Sequence, residues 1–441
     1  MKRILLLFLL SFPLGHEYAR AGILGSTRYA SCLAASTLHA AWQQYIAGDP
    51  GKDATSSLEI LGNSLAETYP AGEMIYARNP WDLQAFNGRL YLSGGNSSNK
   101  GPARNAGPVA IMSLDPVSGR IVREGRVDEE QIDLYRAFNN QLYIPGHDPR
   151  ESWQWGNYYR KDNAGTWLKF RNIPGALHTY DLAWRDQRMF AGLGTKKGAA
   201  VAVSTDGGAS WQVQHLGHNR VYTFLAADDT LYAVKGMPTK GQIRKARNQD
   251  GEDLYGVAEL HPPDTFVPRT DLTEAAVFPE GFFLQDRMKK IVRPVSVGKE
   301  TLFIGAYVHN DHQFLPFGLF LARSFQKGRI EVQQICLPAQ YRPWDLLVHE
   351  GYVYFLVEQP AGRQQVIVRV LRAPLEDPAS LTEYFHFAAT TFARSFTILD
   401  GDFYFGLGCE IKDPQHWRQE ELRPETGTLL RVRASSITGT R

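Results

Sequence analysis

The chain is poor in cysteine. Only Cys32, Cys336 and Cys409 occur among its 441 residues. The odd number leaves at least one unpaired within the monomer and makes no disulfide framework, so stability has to come from a packed core. Charge of one sign is also missing: 48 Lys and Arg stand against 46 Asp and Glu, interspersed along the chain. That excludes the electrostatic footprint of a duplex nucleic-acid binder. The densest basic stretches, Lys235 to Arg247 and Arg287 to Arg293, read as solvated loop charges. No apolar run reaches the roughly 18 residues needed to cross a bilayer. A G-x-S-x-G elbow, a Walker loop, an H-E-x-x-H helix and a dinucleotide fingerprint are all absent, which removes the best-marked hydrolase, nucleotide and zinc chemistries.

What the chain does have begins at its first residues. Lys2 and Arg3 precede the apolar run Ile4 to Leu14, and Ala19-Arg20-Ala21 follows. A basic start, a short apolar run and an A-x-A site describe a secretory signal peptide, with cleavage expected after Ala21 and export as the consequence. Cys32 lies too far past the apolar run for a lipoprotein anchor. Leu38, Trp42 and Tyr45 recur at helical spacing within Leu33 to Ala47, so a short helix is expected in an N-terminal extension spanning 22–56.

Gly (40) and Pro (24) are abundant and aromatic residues make up 12% of the chain, a turn-rich composition that favours all-β architecture. One phrase then repeats. N-P-W-D-L-Q-A-F-N-G-R-L-Y-L around Trp81 returns as R-P-W-D-L-L-V-H-E-G-Y-V-Y-F-L around Trp344. Aligned on its aromatic residue, the phrase recurs at Tyr91, Tyr143, Phe190, Tyr232, Phe303, Tyr354 and Tyr404. Each copy is an apolar run, a tight turn of Gly, Asn or Asp, and a second apolar run, the signature of a β-hairpin. A third apolar stretch and a more polar fourth follow. Four strands returning about every 50 residues predict a β-propeller, here seven-bladed with four-stranded antiparallel blades over 57–441. The blades start near Asp82, Leu134, Asp181, Thr223, Pro294, Asp345 and Ser395, and the longest interval implies an insertion around Asp264 to Lys290. The last blade lacks its outer strand, which either Leu58 to Leu61 or Met74 to Ala77 can supply, closing the ring and removing an exposed edge.

Ser204-Thr205-Asp206-Gly207-Gly208-Ala209-Ser210-Trp211 matches the Asp-box S-x-D-x-G-x-x-W, and Asp162 to Trp167 is a degenerate copy. The pattern resembles the sialidase-like (BNR-repeat) propellers. The resemblance implies a structural role: the turn between third and fourth strands is held by Ser204, Asp206 and Gly208, with Trp211 packed between blades. It does not imply sialidase activity, because the only F-R-I-P-like stretch, Phe170 to Pro174, falls in the wrong part of its blade.

Short first turns and long connections between second and third strands place the loops Ser93 to Gly107, Pro145 to Trp155, Lys235 to Asp253, Tyr307 to Phe317 and Gly406 to Gly427 on one face, where binding residues concentrate. The segments entering the first strands reach that same face, so Trp81, Asp82, Tyr180, Asp181, Trp344 and Asp345 meet at the channel rim. The aspartates either cap the turns into their strands or line an aromatic-walled pocket. The loop from Pro145 to Trp155 adds His147, Asp148, Arg150 and Trp153, and His178 approaches from blade three. Imidazoles beside carboxylates suit general acid–base work; flat indoles and a guanidinium suit sugars. Two expectations stay open. One is an exported propeller binding a glycan or an exported protein through Trp81, Asp82, Arg150, Trp153, Tyr180, Trp344 and Asp345. The other is a carbohydrate-active hydrolase or metal-assisted lyase, with His147, Asp148, His178 and Asp181 catalytic. No cofactor is expected, unless His309, Asp311 and His312 hold a divalent metal. A monomer is expected.

Overall fold

The computed structural model describes residues 51–66, 79–96, 107–237, 255–279, 287–309, 313–338, 340–362, 365–409 and 423–438. The signal peptide, the expected helix within Leu33 to Ala47, and the alternative closing segment Met74 to Ala77 lie outside them. The described chain forms seven blades in sequence order around one axis, each a four-stranded antiparallel sheet, one of which carries a fifth strand. Their innermost strands are Leu83–Phe86, Arg136–Phe138, Ala176–Arg185, Val221–Ala227, Lys289–Val297, Arg342–His349 and Ala393–Leu399. No helix among the described residues is long and apolar enough to cross a membrane.

Turn chemistry explains why the hairpins are so regular. A two-residue turn matching the twist of its strands needs both residues at positive φ, which Asn, Asp and Gly tolerate best. Asn139 and Asn140 have φ of 51° and 54°, Asp228 and Asp229 of 51° and 57°, and Asp400 and Gly401 of 52° and 81°. Strand alternation then sends successive side chains to opposite faces. Leu90 and Leu92 pack against blade seven with Leu399, Tyr404 and Leu429, whereas Tyr91 between them packs against Tyr135, Leu142 and Ile144 of blade two. The apolar core is accordingly divided into seven clusters, one between each pair of neighbouring blades.

Ring closure uses the earlier of the two segments read from sequence. Glu59–Asn63 pairs antiparallel with Thr428–Val432 as the outer strand of blade seven, fastened by Glu59 to the guanidinium groups of Arg431 and Arg433. Lys52–Asp53 pairs in parallel with Thr382–Ala389 as a fifth strand on blade six, and the chain runs on from Thr428–Val432 into a short helix, Ala434–Thr438.

Two expectations about loops need correction. Thr265–Pro268, inside the stretch read as an insertion, is the fourth strand of blade four, followed by the short helix Glu274–Val277. Within Tyr307 to Phe317 the described residues are strand: Tyr307 pairs with Leu315 and His309 with Gln313 in blade five. The nearly continuous apolar run Phe314 to Phe320 belongs to a strand that carries pairing further than turn counting suggested.

Candidate functional site

Each inner strand begins at the same end of the ring and delivers side chains to the axis in register. Tyr91, Tyr143, Phe190, Tyr232, Tyr354 and Tyr404 pair across their hairpins with Gln84, Arg136, Ala183, Leu225, Leu347 and Thr397. Three residues earlier in each blade stand Trp81, Asp133, Tyr180, Tyr222, Trp344 and Arg394. All of these except Trp344 line a cavity of about 260 Å³ to which every blade contributes. The expected loop face is therefore the one with the cavity, since His147 and Asp148, from the connection between second and third strands of blade two, also line it.

Blade five departs from the pattern. Its register breaks between Val292 and Val295, and Arg293 adopts φ 51°, a conformation costly for a non-glycine residue and found where surroundings over-determine it. The bulge aims the guanidinium across the axis. Arg293 donates to Asp82 Oδ1 at 3.1 Å and to the Trp81 carbonyl, and its Nε lies 3.4 Å from Asp345 Oδ1. The two copies of the opening phrase, one in blade one and one in blade six, thus close on one arginine. Their tryptophans meet on another: the Arg394 guanidinium lies 5.2 Å from the Trp81 ring and 5.8 Å from the Trp344 ring.

The aspartates of the phrase also staple blade to blade. Asp82 Oδ2 accepts from the Tyr135 backbone at 2.8 Å, Asp181 Oδ2 from Phe224 at 3.0 Å and Asp345 Oδ2 from Phe396 at 3.2 Å. Asp345 both caps its own strand, accepting from the Leu346 backbone at 3.0 Å, and lines the pocket; Asp82 lines the pocket and accepts its backbone bond from the neighbouring blade. Asp181 is different. Arg136 grips it with two bonds, Thr223 and the Leu182 backbone donate as well, and it is 1% exposed. Its lone pairs are committed, and it does not line the cavity, so the catalytic role expected for it is withdrawn.

Across the axis stands a wall of rings and charges from blades two to five. His178 Nδ1 lies 2.8 Å from the His147 carbonyl and 3.4 Å from Asp148 Oδ1. His147 Nδ1 lies 4.0 Å from Asp133 Oδ2. The Tyr180 ring packs against both imidazoles, at 5.2 Å from His178 and 5.0 Å from His147, and its hydroxyl accepts from Arg220. Gly194 makes room for this layer, because a Cβ there would lie 3.2 Å from both Arg220 and His178 side-chain carbons. Lys290 Nζ sits 3.4 Å from the centroid of Tyr222, a cation–π distance.

Shared burial moves these groups away from their ordinary ionisation. Burial, with Glu130 nearby, pushes the Asp148 carboxyl up to about 7. Burial and the neighbouring Asp82 push Asp345 up to about 6 against the pull of Arg293. Lys290 falls to about 7 through burial reinforced by Arg220, and Arg394 falls to about 9 through burial and Arg293. His147 is lowered by burial despite Asp133. Asp133 goes the other way: burial alone would raise it, but His147, Arg293, Arg394 and Lys290 together hold it below the usual carboxylate range.

Of the residues singled out in the sequence, Trp81, Asp82, His147, Asp148, His178, Tyr180 and Asp345 converge on the cavity. Trp344 is buried behind it, stacked on Phe392 and donating to Glu358. Arg150 and Trp153 lie outside: Arg150 donates to the Gly107 carbonyl at 2.5 Å, and Trp153 is 57% exposed. The chain turns after His147 and Asp148, so only the first half of the loop looks inward. Of the metal candidates, Asp311 and His312 lie outside the described residues and His309 ends a strand. Among the described residues no group of three His, Cys, Asp or Glu side chains is placed to hold a metal ion.

Sequence reasoning missed Asp133, Arg220, Tyr222, Lys290, Arg293 and Arg394. It also misread Arg287 to Arg293 as solvated, whereas Lys289 is buried and Lys290 and Arg293 line the channel. The signal was present: Asp133, Tyr222, Arg293 and Arg394 occupy the offset of Trp81 in their own repeats.

No family model matches the chain, and no curated protein does. Among solved structures it is similar to Kuenenia stuttgartiensis hydrazine synthase, at 12% identity and TM-score 0.45 over 77% of this chain and 96% of that one. It is similar to the extracellular domain of a hybrid two-component system from B. thetaiotaomicron, at 10% identity and TM-score 0.47 over 79% of this chain and 41% of that one. An ancestral GH74 enzyme matches at 11% identity and TM-score 0.42 over 77% and 46%. At such identities the likeness concerns propeller architecture alone.

Proposed function

We propose that this is an exported propeller that binds a small acidic ligand, of the uronic-acid class, in the cavity at the mouth of its central channel. The observation that carries the reading is the composition of that cavity. Its wall holds Arg136, Arg220, Arg293 and Arg394, with the amine of Lys290, against Asp82, Asp133, Asp148 and Asp345, and burial neutralises part of the carboxylate charge and part of the Lys290 charge near neutral pH. The low-dielectric enclosure strengthens each remaining interaction with an anion. Trp81, Tyr180 and Tyr222 supply faces for a sugar ring, and a cavity of about 260 Å³ lies just under the ~300–1,000 Å³ of ordinary small-molecule sites. Export rests on the N-terminal sequence.

A second reading, carbohydrate-active catalysis, is favoured by one observation: His147 with Asp133, and His178 with Asp148, stand in adjacent pairs on the same wall. Titratable groups converging in a cleft are what acid–base catalysis requires.

Calorimetric titration with D-glucuronate and D-glucose tests the first reading. Glucuronate is expected to bind and glucose not, with Arg220→Gln weakening glucuronate at least about tenfold, the loss of roughly 1.4 kcal/mol from one charge-assisted contact. Equal affinity for the two sugars, or none for either, contradicts it. Incubation with uronic-acid oligosaccharides tests the second: turnover abolished in His147→Ala, His178→Ala supports catalysis, and no turnover in the parent rejects it.

A further inference from the structure

We propose that Lys290 is a carbonyl-capturing amine, forming an imine with the aldehyde or ketone group of an acidic ligand held in the channel cavity. The inference rests on the cavity being the ligand site and adds what its floor does to a bound carbonyl.

The placement of Lys290 is unlike that of the other cations on the wall. Arg136 is committed to Asp181, Arg220 to the Tyr180 hydroxyl, and Arg293 to Asp82 and Asp345. Lys290 makes no ion pair and no hydrogen bond among the described residues; its Nζ rests on the Tyr222 ring. Its immediate neighbour in sequence behaves in the ordinary way, since Lys289 is buried and salt-bridged to Glu274 at 2.5 Å. The bulge that begins after Val292 leaves Lys290 in regular register opposite Ala306, so the position is built by the strand and not by a mobile loop.

An amine in this setting is a nucleophile. A lysine loses its proton readily when desolvated beside another cation, and burial, opposed by Asp133 and reinforced by Arg220, brings Lys290 down to about 7. A large share is therefore neutral at physiological pH. The step balances without a further reactant. The nitrogen lone pair attacks the carbonyl carbon and forms the C–N bond; the carbonyl oxygen takes up the two hydrogens of the amine and leaves as water, giving C=N. Asp148 lines the same cavity and, pushed up to about 7, can exchange a proton at that pH. The guanidinium groups of Arg220 and Arg394 line the same cavity and supply positive charge for the ligand's carboxylate. A uronic acid in its open-chain form carries both groups, an aldehyde and a carboxylate.

The test uses the whole protein, glyoxylate as the smallest carboxylate-bearing aldehyde, and cyanoborohydride to fix any imine, followed by peptide mass mapping. Lys299 is the internal control, an exposed lysine with 74% side-chain accessibility. Lys290 is expected to be labelled at least about tenfold faster than Lys299, because far more of it is neutral, and the excess labelling is expected to vanish in Lys290→Met. Glycolate, which lacks the carbonyl, is expected to slow the reaction by competing for the cavity. Labelling of Lys290 no faster than Lys299 in the parent protein overturns the proposal whether or not the variant folds. The outcomes separate the two claims: glucuronate binding without Lys290 labelling leaves the cavity as a ligand site and removes the imine. Labelling that glycolate does not slow removes ligand-directed capture and leaves only a reactive lysine.

Discussion

At the scale of single residues, the interior of blade two holds a carboxyl that is best understood as neutral. Glu129 is completely buried; it accepts from Asn157 Nδ2 at 2.6 Å and from the Tyr159 hydroxyl at 3.1 Å. Among the described residues, two oxygens in this pair, Glu129 Oε2 and Asn157 Oδ1, have no hydrogen-bond partner. Unpaired buried acceptors are expensive, and a proton on Glu129 supplies a donor where two acceptors otherwise lack one. Burial pushes this carboxyl up to about 7. Because the folded value lies above the unfolded one, the stabilisation is complete below about pH 4.5 and is lost as pH rises to 7. The displacement corresponds to about 3 kcal/mol. Glu129→Gln keeps a donor and cannot ionise. Urea unfolding at pH 5 and pH 8 is therefore expected to show the variant gaining on the parent by about that amount at the higher pH; a pH-independent difference contradicts the assignment.

At the scale of elements, the Asp-box turn is a self-contained device. Ser204 Oγ donates to Asp206 Oδ1 at 2.7 Å and accepts from the Gly208 backbone at 2.8 Å, while Asp206 accepts from the Ser210 backbone at 2.9 Å. The Ser210 hydroxyl, donating to Asp206 Oδ2 at 2.5 Å, then the Ser210 backbone and Ser204, hold the Asp206 carboxyl at about 2. The turn aims Trp211 edge-on at Tyr158 of the preceding blade, ring centroids 5.8 Å apart, and Tyr158 donates back to the Gly208 carbonyl at 3.0 Å. The degenerate box does the same with fewer bonds: Asp162 accepts from Thr166 at 2.7 Å, and Trp167 packs against Tyr91 of blade one. Trp211→Ala empties part of the seam between blades two and three, and thermal or urea unfolding is expected to register a loss of about 3–5 kcal/mol. An unchanged midpoint contradicts an inter-blade role. This motif, the positive-φ turns and the hairpin periodicity were legible in the sequence because each is local chemistry. The long strands of blade five and the outer strand at Thr265–Pro268 were not, since they depart from the turn spacing of the other blades and are defined by pairing with neighbouring strands.

At the scale of the whole molecule, the ring turns a repeat offset into a site. Trp81 and Arg394 are far apart in the chain yet share a wall because both stand at the same place in their blades, and closure of Glu59–Asn63 onto Thr428–Val432 brings the ends of that ring together. The rim aspartates could be read from the repeated phrase. The cations were less legible, because no motif names them: Arg293 and Arg394 stand at the offset of Trp81 in their repeats but Arg220 and Lys290 do not, and the four become a cluster only once the axis exists. Arg293 in particular depends on a bulge that sequence does not announce. The most direct test of a ligand-binding channel mouth is a crystal structure of the protein soaked with D-glucuronate. The account predicts the sugar on the axis between Tyr222 and Trp81, its carboxylate within hydrogen-bond reach of Arg220 or Arg394. A sugar seated only on the outer rim, or an axis holding water alone when the ligand is saturating, would contradict it.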